Sequence, residues 1–183
     1  MAIFKLPLRQ SLLGLAFSAV IPLGGYALEV DVLLTERPSA QPVTTNSIPH
    51  AQINVVANPE FSSELIRRID ALEGVYVQPT SNSLAGAKGF RLNDNVTPAR
   101  PQSLLGGREF AHLHADGSLH AFLDPRLAEQ AVASKWGTYH PWARQNPGWD
   151  GFVMIYTPTT ADELEIVINL VQHSYHFVVG EKT

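Results

Sequence analysis

Two short alternating runs, residues 110–114 and 118–123, face each other across Ala115-Asp116-Gly117. Period-2 alternation asks for half-buried strands, and Asp-Gly between two such runs asks for a hairpin. The loop length then decides which residues share a face, because a one-residue slip moves every side chain to the opposite side. A two-residue Asp-Gly turn would pair Leu113 with His120 and mix histidines with leucines on both faces. A three-residue turn, with Gly117 as the left-handed bulge residue, pairs His114 with Ser118 and His112 with His120. Ala111, Leu113, Leu119, Ala121 and Leu123 then share one face, and His112, His114, Ser118 and His120 the other. Only this register separates apolar from polar as a one-sided antiparallel sheet requires. The pattern therefore predicts the three-residue turn.

That register brings three imidazoles together. Directly paired strand residues lie about 5 Å apart and same-face neighbours about 6–7 Å. Such a group can relay a proton, hydrogen-bond an anionic ligand or hold a metal; it is also what a merely solvated sheet face would carry. Arg108 has the strand parity of His112 and is expected to add a fixed positive charge. Glu109 has the opposite parity and is expected on the core side, with His112, His114, His120 and Arg108 forming the reactive set. Trp136, Tyr139, His140 and Trp142 follow in the same stretch, either as ordinary packing or as the wall of a pocket for a flat ligand. His-x-His alone is a weak metal signal, and no acid has ligand parity. No resident cofactor is expected, with a transition metal at the triad as the alternative.

The remainder of the chain sets this stretch in a fold. Lys5 and Arg9 precede the apolar run 11–21, and Gly25-Tyr26-Ala27 ends it in a small-x-small site. Residues 1–27 thus read as a signal peptide or an N-terminal membrane anchor, and the chain as exported: periplasmic, secreted or membrane-anchored. Residues 28–49, with Pro38, Pro42 and Pro49 among polar residues, read as a flexible tether, and 50–183 as the folded domain. Asn58-Pro59-Glu60 starts a helix, with Phe61, Leu65, Ile69 and Leu72 inward and Gly74 as the stop. Residues 75–78 and 88–92 read as strands, and 93–107 as a long loop, either a lid or a mobile segment. After the histidine stretch, 152–156 reads as a strand. Thr160 and Glu163 form a capping box for a last helix whose inner face is Leu164, Val167, Val171 and Ser174 or Tyr175. His173 and His176 sit near its end as cations facing the helix dipole. Helix, strands, hairpin, short helix, strand and helix in that order imply an α+β class with an antiparallel sheet.

The composition excludes several functions. The net charge of −4 comes without a basic run, so there is no electrostatic case for nucleic acid. Zero cysteines exclude disulfides, thiolate metal sites and a cysteine nucleophile. No Gly-x-Ser-x-Gly, phosphate loop or dinucleotide fingerprint is present.

Arg108-Glu109-Phe110-Ala111-His112-Leu113-His114, Ser118-Leu119-His120, Trp136-Gly137-x-x-His140-Pro141, residues 152–158 and the closing helix together resemble the luciferase-domain family, named for the light-emitting enzymes of fungi. The resemblance covers residues 64–178. Lys135 stands where the family often has Gly, and Trp142 where it often has Leu. Fungal members oxidise a hydroxylated hispidin, a flat phenolic pyrone, with molecular oxygen; many relatives, including bacterial ones, come from organisms that emit no light. The resemblance also implies a frataxin-like two-layer sandwich, with the N- and C-terminal helices on one face of the sheet and the histidine face uncovered. It suggests an oxygen-using enzyme for a small phenolic or enolic substrate, with His112, His114 or His120 as base, Arg108 stabilising negative charge, and Trp136 and His140 orienting the ring. A non-catalytic exported module that binds an anionic small molecule or a partner protein is the alternative, and the sequence leaves enzyme against binder open.

Overall fold

The computed structural model describes residues 34–180; the expected signal or anchor at 1–27 and the first part of the expected tether lie outside them. Helix α1 (Pro59–Asp70) begins where the sequence places it. The Asn58 side chain accepts from the Glu60 N–H at 2.9 Å, and Pro59 occupies the first turn, where a missing N–H costs nothing. Leu65 and Ile69 are buried, and Gly74 takes the left-handed conformation before β1 (Val75–Pro79). Strands β2 (Lys88–Leu92), β3 (Glu109–Leu113) and β4 (Leu119–Phe122) follow, then α2 (Pro125–Ala133), β5 (Gly137–Tyr139), β6 (Phe152–Ile155) and α3 (Ala161–Val179). The six strands form one antiparallel sheet in the order β1-β2-β3-β4-β6-β5. The architecture is the expected α+β sandwich.

The apolar face carries the main core. Phe90, Leu92, Ala111, Leu113, Leu119, Ala121, Val153 and Ile155 meet Leu65 and Ile69 of α1, and Leu164, Val167, Ile168, Val171 and Tyr175 of α3, all buried. Phe110 lies between Phe90 and Tyr175, with ring centroids 6.3 and 5.9 Å away. At the start of α3 the Glu163 N–H donates to Thr160 Oγ1, the expected half of a capping box. The Glu163 carboxylate reaches one residue further back than expected, accepting from the Thr159 N–H at 2.8 Å and the Thr159 hydroxyl at 2.9 Å. Among the described residues no helix is long and apolar enough to cross a membrane.

Two expectations fail on the opposite face. The described part of the expected tether is packed rather than loose: Arg37 is buried and pairs with the buried Glu163 at 3.0 Å, and its N–H donates to Ser134 O. From there the chain crosses to a Thr44–Gln52 bridge and buries His50 and Gln52. The histidine face is therefore covered. Polar linker composition misleads here because the order comes from a buried ion pair to a residue 126 positions away. The 93–107 loop is likewise held: Trp149 Nε1 donates to Gln102 O at 2.9 Å, Ser103 Oγ to Gly148 O at 3.1 Å, and Arg100 N to Val178 O at 3.0 Å.

Candidate functional site

The hairpin adopts the three-residue register. Ala111 pairs with Ala121, His112 with His120 and Leu113 with Leu119. His114 N donates to Ser118 O at 2.8 Å, and Gly117 has φ +86°. Asp116 fixes the loop by accepting from both the Ser118 N–H (2.9 Å) and the Ser118 hydroxyl (2.7 Å). His112, His114 and His120 consequently converge, with ring centroids 4.5–5.1 Å apart.

Two further rings complete the group. His140, just past β5, stands 4.6 Å from His120 edge-on, and His50, from the covering segment, stacks on His120 at 5.2 Å. All five histidines are only 1–5% exposed. A chain of close contacts runs through them: Glu109 Oε1 to His112 Nδ1 at 2.8 Å, His112 Nε2 to His120 Nδ1 at 3.1 Å, and His120 Nε2 to His50 Nδ1 at 3.1 Å. His114 Nδ1 meets Ser118 Oγ at 2.8 Å, while its Nε2 is buried without a hydrogen-bond partner.

Glu109 reaches this face through a bulge. β2 and β3 pair Gly89 with His112 and Phe90 with Ala111, then Arg91 with Glu109, so Phe110 is an extra residue. The extra residue inverts the parity of everything before it. Glu109 crosses from the core side to the histidine side, and its carboxylate lies over Gly89, where a side chain would collide with it. Arg91 follows it, with a guanidinium nitrogen 3.2 Å from Glu109 Oε2.

The same inversion removes Arg108. Its backbone is left-handed (φ +64°), and its guanidinium donates to the carbonyls of Leu92, Asn93 and Val96, tying the loop after β2. Arg91 is the cation beside the cluster; Arg108 is not. Trp136 is also displaced: its ring is buried in the main core and its Nε1 donates to Thr35 O at 2.7 Å. Tyr139 pairs with Val153, a residue of the helix-covered face, and its ring lies 4.6 Å from the Arg144 guanidinium. Trp142 does adjoin the cluster, 5.2 Å from His140 and 42% exposed, and with Trp149, Phe152 and Phe122 it makes an aromatic edge beside His120 and His140.

Burial lowers the pKa of His50, His114, His120 and His140. It pushes His114 down to about 4, helped by His112 and His50 and opposed by Asp116. It pushes His140 down to about 3 and His120 well below the usual imidazole range, with mutual repulsion among the rings adding to both. His50 is lowered by burial alone. For Glu109 burial acts upward, but hydrogen bonds from His112 and Thr80 and the charges of His112 and Arg91 outweigh it and hold the carboxyl low. His50, His114, His120 and His140 are thus held toward the neutral form, beside one anchored carboxylate. His50, Glu109, Ser118 and Asp116 are the members of this arrangement that the sequence does not flag as reactive.

Comparison with known proteins agrees with this framework. A family model for the luciferase domain matches residues 107–174, the span from the start of β3 into α3. A luciferase of Armillaria gallica is 26% identical over 167 residues, covering 81% of this chain and 62% of that protein. The chain thus matches less than two thirds of that relative's length. No solved structure matches the chain significantly. The histidine hairpin, β6 and most of α3 accordingly belong to the segment in which this chain is similar to the luciferase-domain family.

Proposed function

We propose that the chain is an exported, oxygen-using enzyme of the luciferase type, acting on a small, flat phenolic or enolic substrate at the buried histidine face. Export rests on the basic-then-apolar pattern of residues 1–27. The observation that carries the chemistry is the convergence of imidazoles backed by Glu109. A neutral ring can take an acidic enol proton, and the carboxylate at the end of the chain offsets the resulting charge. Trp142 N donates to His140 Nδ1 at 3.1 Å, so a neutral His140 carries its proton on Nε2 and can donate it to an enolate oxygen. The aromatic edge at Trp142 and Trp149 suits the ring of such a substrate. The enolate carbon would then add molecular oxygen, and the proton first removed would return to give a hydroperoxide. Atoms and electrons balance with oxygen as the oxidant.

The test is oxygen uptake with hydroxylated phenolic pyrones and related enolic acids, with binding followed alongside. One oxygen consumed per substrate is expected, and His120→Gln should lower turnover by roughly 10²–10⁴, the range for loss of acid–base catalysis. Saturable binding without oxygen uptake would instead make this face a ligand-binding module.

A further inference from the structure

The geometry points to a divalent first-row transition-metal site formed by His112 Nε2, His114 Nε2 and His120 Nδ1. This deepens the proposed function by naming what the innermost nitrogens hold, and rests on that reading for the ion's role in turnover, while its binding is tested separately.

The tautomers are set from outside the cluster. Glu109, facing Arg91, accepts a hydrogen bond from His112 Nδ1–H at 2.8 Å, which leaves the Nε2 lone pair pointing inward. The Ser118 hydroxyl gives its proton to Asp116 Oδ1 at 2.7 Å, so its oxygen is left to accept from His114 Nδ1 at 2.8 Å. His114 Nε2 then also presents a lone pair, and it is buried with no partner. Both rings have the arrangement common in metal-binding histidines, where the outer nitrogen donates to a carboxylate or to a hydroxyl backed by one. His120 Nδ1 lies 3.1 Å from His112 Nε2, and one ring nitrogen from each of His112, His114 and His120 lies within 4.8 Å of the other two. Nitrogen ligands about 2.0–2.1 Å from a tetrahedral ion stand roughly 3.3 Å apart, close to the spacing of the first pair. A shared proton would satisfy His112 and His120 but leave His114 Nε2 orphaned. An ion satisfies all three.

The neighbouring triad of His50, His120 and His140 also has converging nitrogens. It is the poorer site, because the Trp142 N–H occupies His140 Nδ1 and the proton on Nε2 makes that atom a donor rather than a ligand. His50 instead serves the first triad: its Nδ1, 3.1 Å from His120 Nε2, accepts the proton that His120 must carry there once Nδ1 is a ligand. Three neutral imidazoles suit zinc, iron, copper or nickel rather than calcium or magnesium. Three protein ligands also leave a coordination position for water or a substrate oxygen, and with the three ring lone pairs occupied, a water bound there takes the enol proton in place of a ring.

The test uses the protein freed of metal by chelation and titrated with Co²⁺ and Zn²⁺, reading stoichiometry by calorimetry, the visible Co²⁺ spectrum and the rise in Tm. One ion per chain is expected. His114→Gln and His112→Gln, checked for folding by circular dichroism, should abolish it. Glu109→Gln should weaken it about 10–100-fold, as loss of a partner to a ligating histidine does, while His140→Gln should leave the affinity within about threefold of the parent. Absence of binding by the folded parent overturns the proposal, as does full affinity in His114→Gln or loss of binding in His140→Gln. Because these readouts involve no substrate, a protein that binds the ion but consumes no oxygen refutes the enzymatic reading alone.

Discussion

Replacing Arg37 with Met tests whether the covering segment is clamped by one buried ion pair. The side chains of Arg37 and Glu163 are 2% and 1% exposed, and Arg37 also donates to Thr157 O and Ala40 O. Removing one member of a buried pair costs about 3–5 kcal/mol, because the other charge is left without its counterion. Arg37→Met keeps the aliphatic packing, and Glu163 retains its bonds from Thr159, so about 3 kcal/mol is expected. Glu163→Gln strands the Arg37 charge and should cost a similar amount. The double variant strands neither charge. It should therefore cost about 3 kcal/mol again rather than the roughly 6 of independent sites, a coupling of about 3 kcal/mol. Urea denaturation at unchanged slope reads this directly. Additive single costs would refute the argument, because they would mean the two charges do not depend on each other.

Acid titration gives a second reading of the same pair. Burial acts to raise the Glu163 carboxyl, but hydrogen bonds from Ser39 and from the Thr159 N–H and hydroxyl, with the charge of Arg37, outweigh it and hold it low. A carboxyl lowered on folding contributes stability in full above its unfolded pKa of about 4.3, and loses it as pH falls through the folded value. Glu163→Gln should therefore lose less stability than the parent between neutral pH and pH ~3.

Gly117→Ala should destabilise by about 2–5 kcal/mol in thermal or urea unfolding: φ is +86°, which costs an L-residue about 1–2 kcal/mol, and the added carbon would lie 2.8 Å from Thr157 Cγ2 and 3.1 Å from Ala57 Cβ, an overpacking of about 1–3 kcal/mol. A loss below about 0.5 kcal/mol would contradict the hairpin geometry. Arg108→Ala should cost about 1–3 kcal/mol, for the charge-assisted bonds it makes to three carbonyls, while leaving metal affinity unchanged. A selective loss of affinity in a folded variant would return Arg108 to the cluster.

The hairpin was legible because its information is local. Alternation and an Asp-Gly loop fix which of His112, His114 and His120 share a face, whatever surrounds them. Arg108 and Glu109 were misread by the same parity rule, carried one residue too far: the bulge at Phe110 leaves no clear mark in the sequence, yet it exchanges the two faces. His50 offered no signal at all, since its place depends on a segment anchored through Arg37 to a distant helix start. The aromatic residues divide along the same line. His140 and Trp142 follow β5 onto the cluster side, whereas Trp136 lies ahead of it in the core, a difference of strand phase that composition cannot express.

The Arg37 clamp also has a mechanical meaning. Leu34, Thr35 and Arg37 are fastened to the body by Ser134 Oγ, Trp136 Nε1 and Ser134 O as well as by Glu163. Tension on the chain ahead of these residues meets several bonds before it can reach His50. The clamp acts as a strain relief, like the collar where a cable enters an instrument. A domain tethered by its leading end could be pulled without disturbing the fifth ring of the cluster.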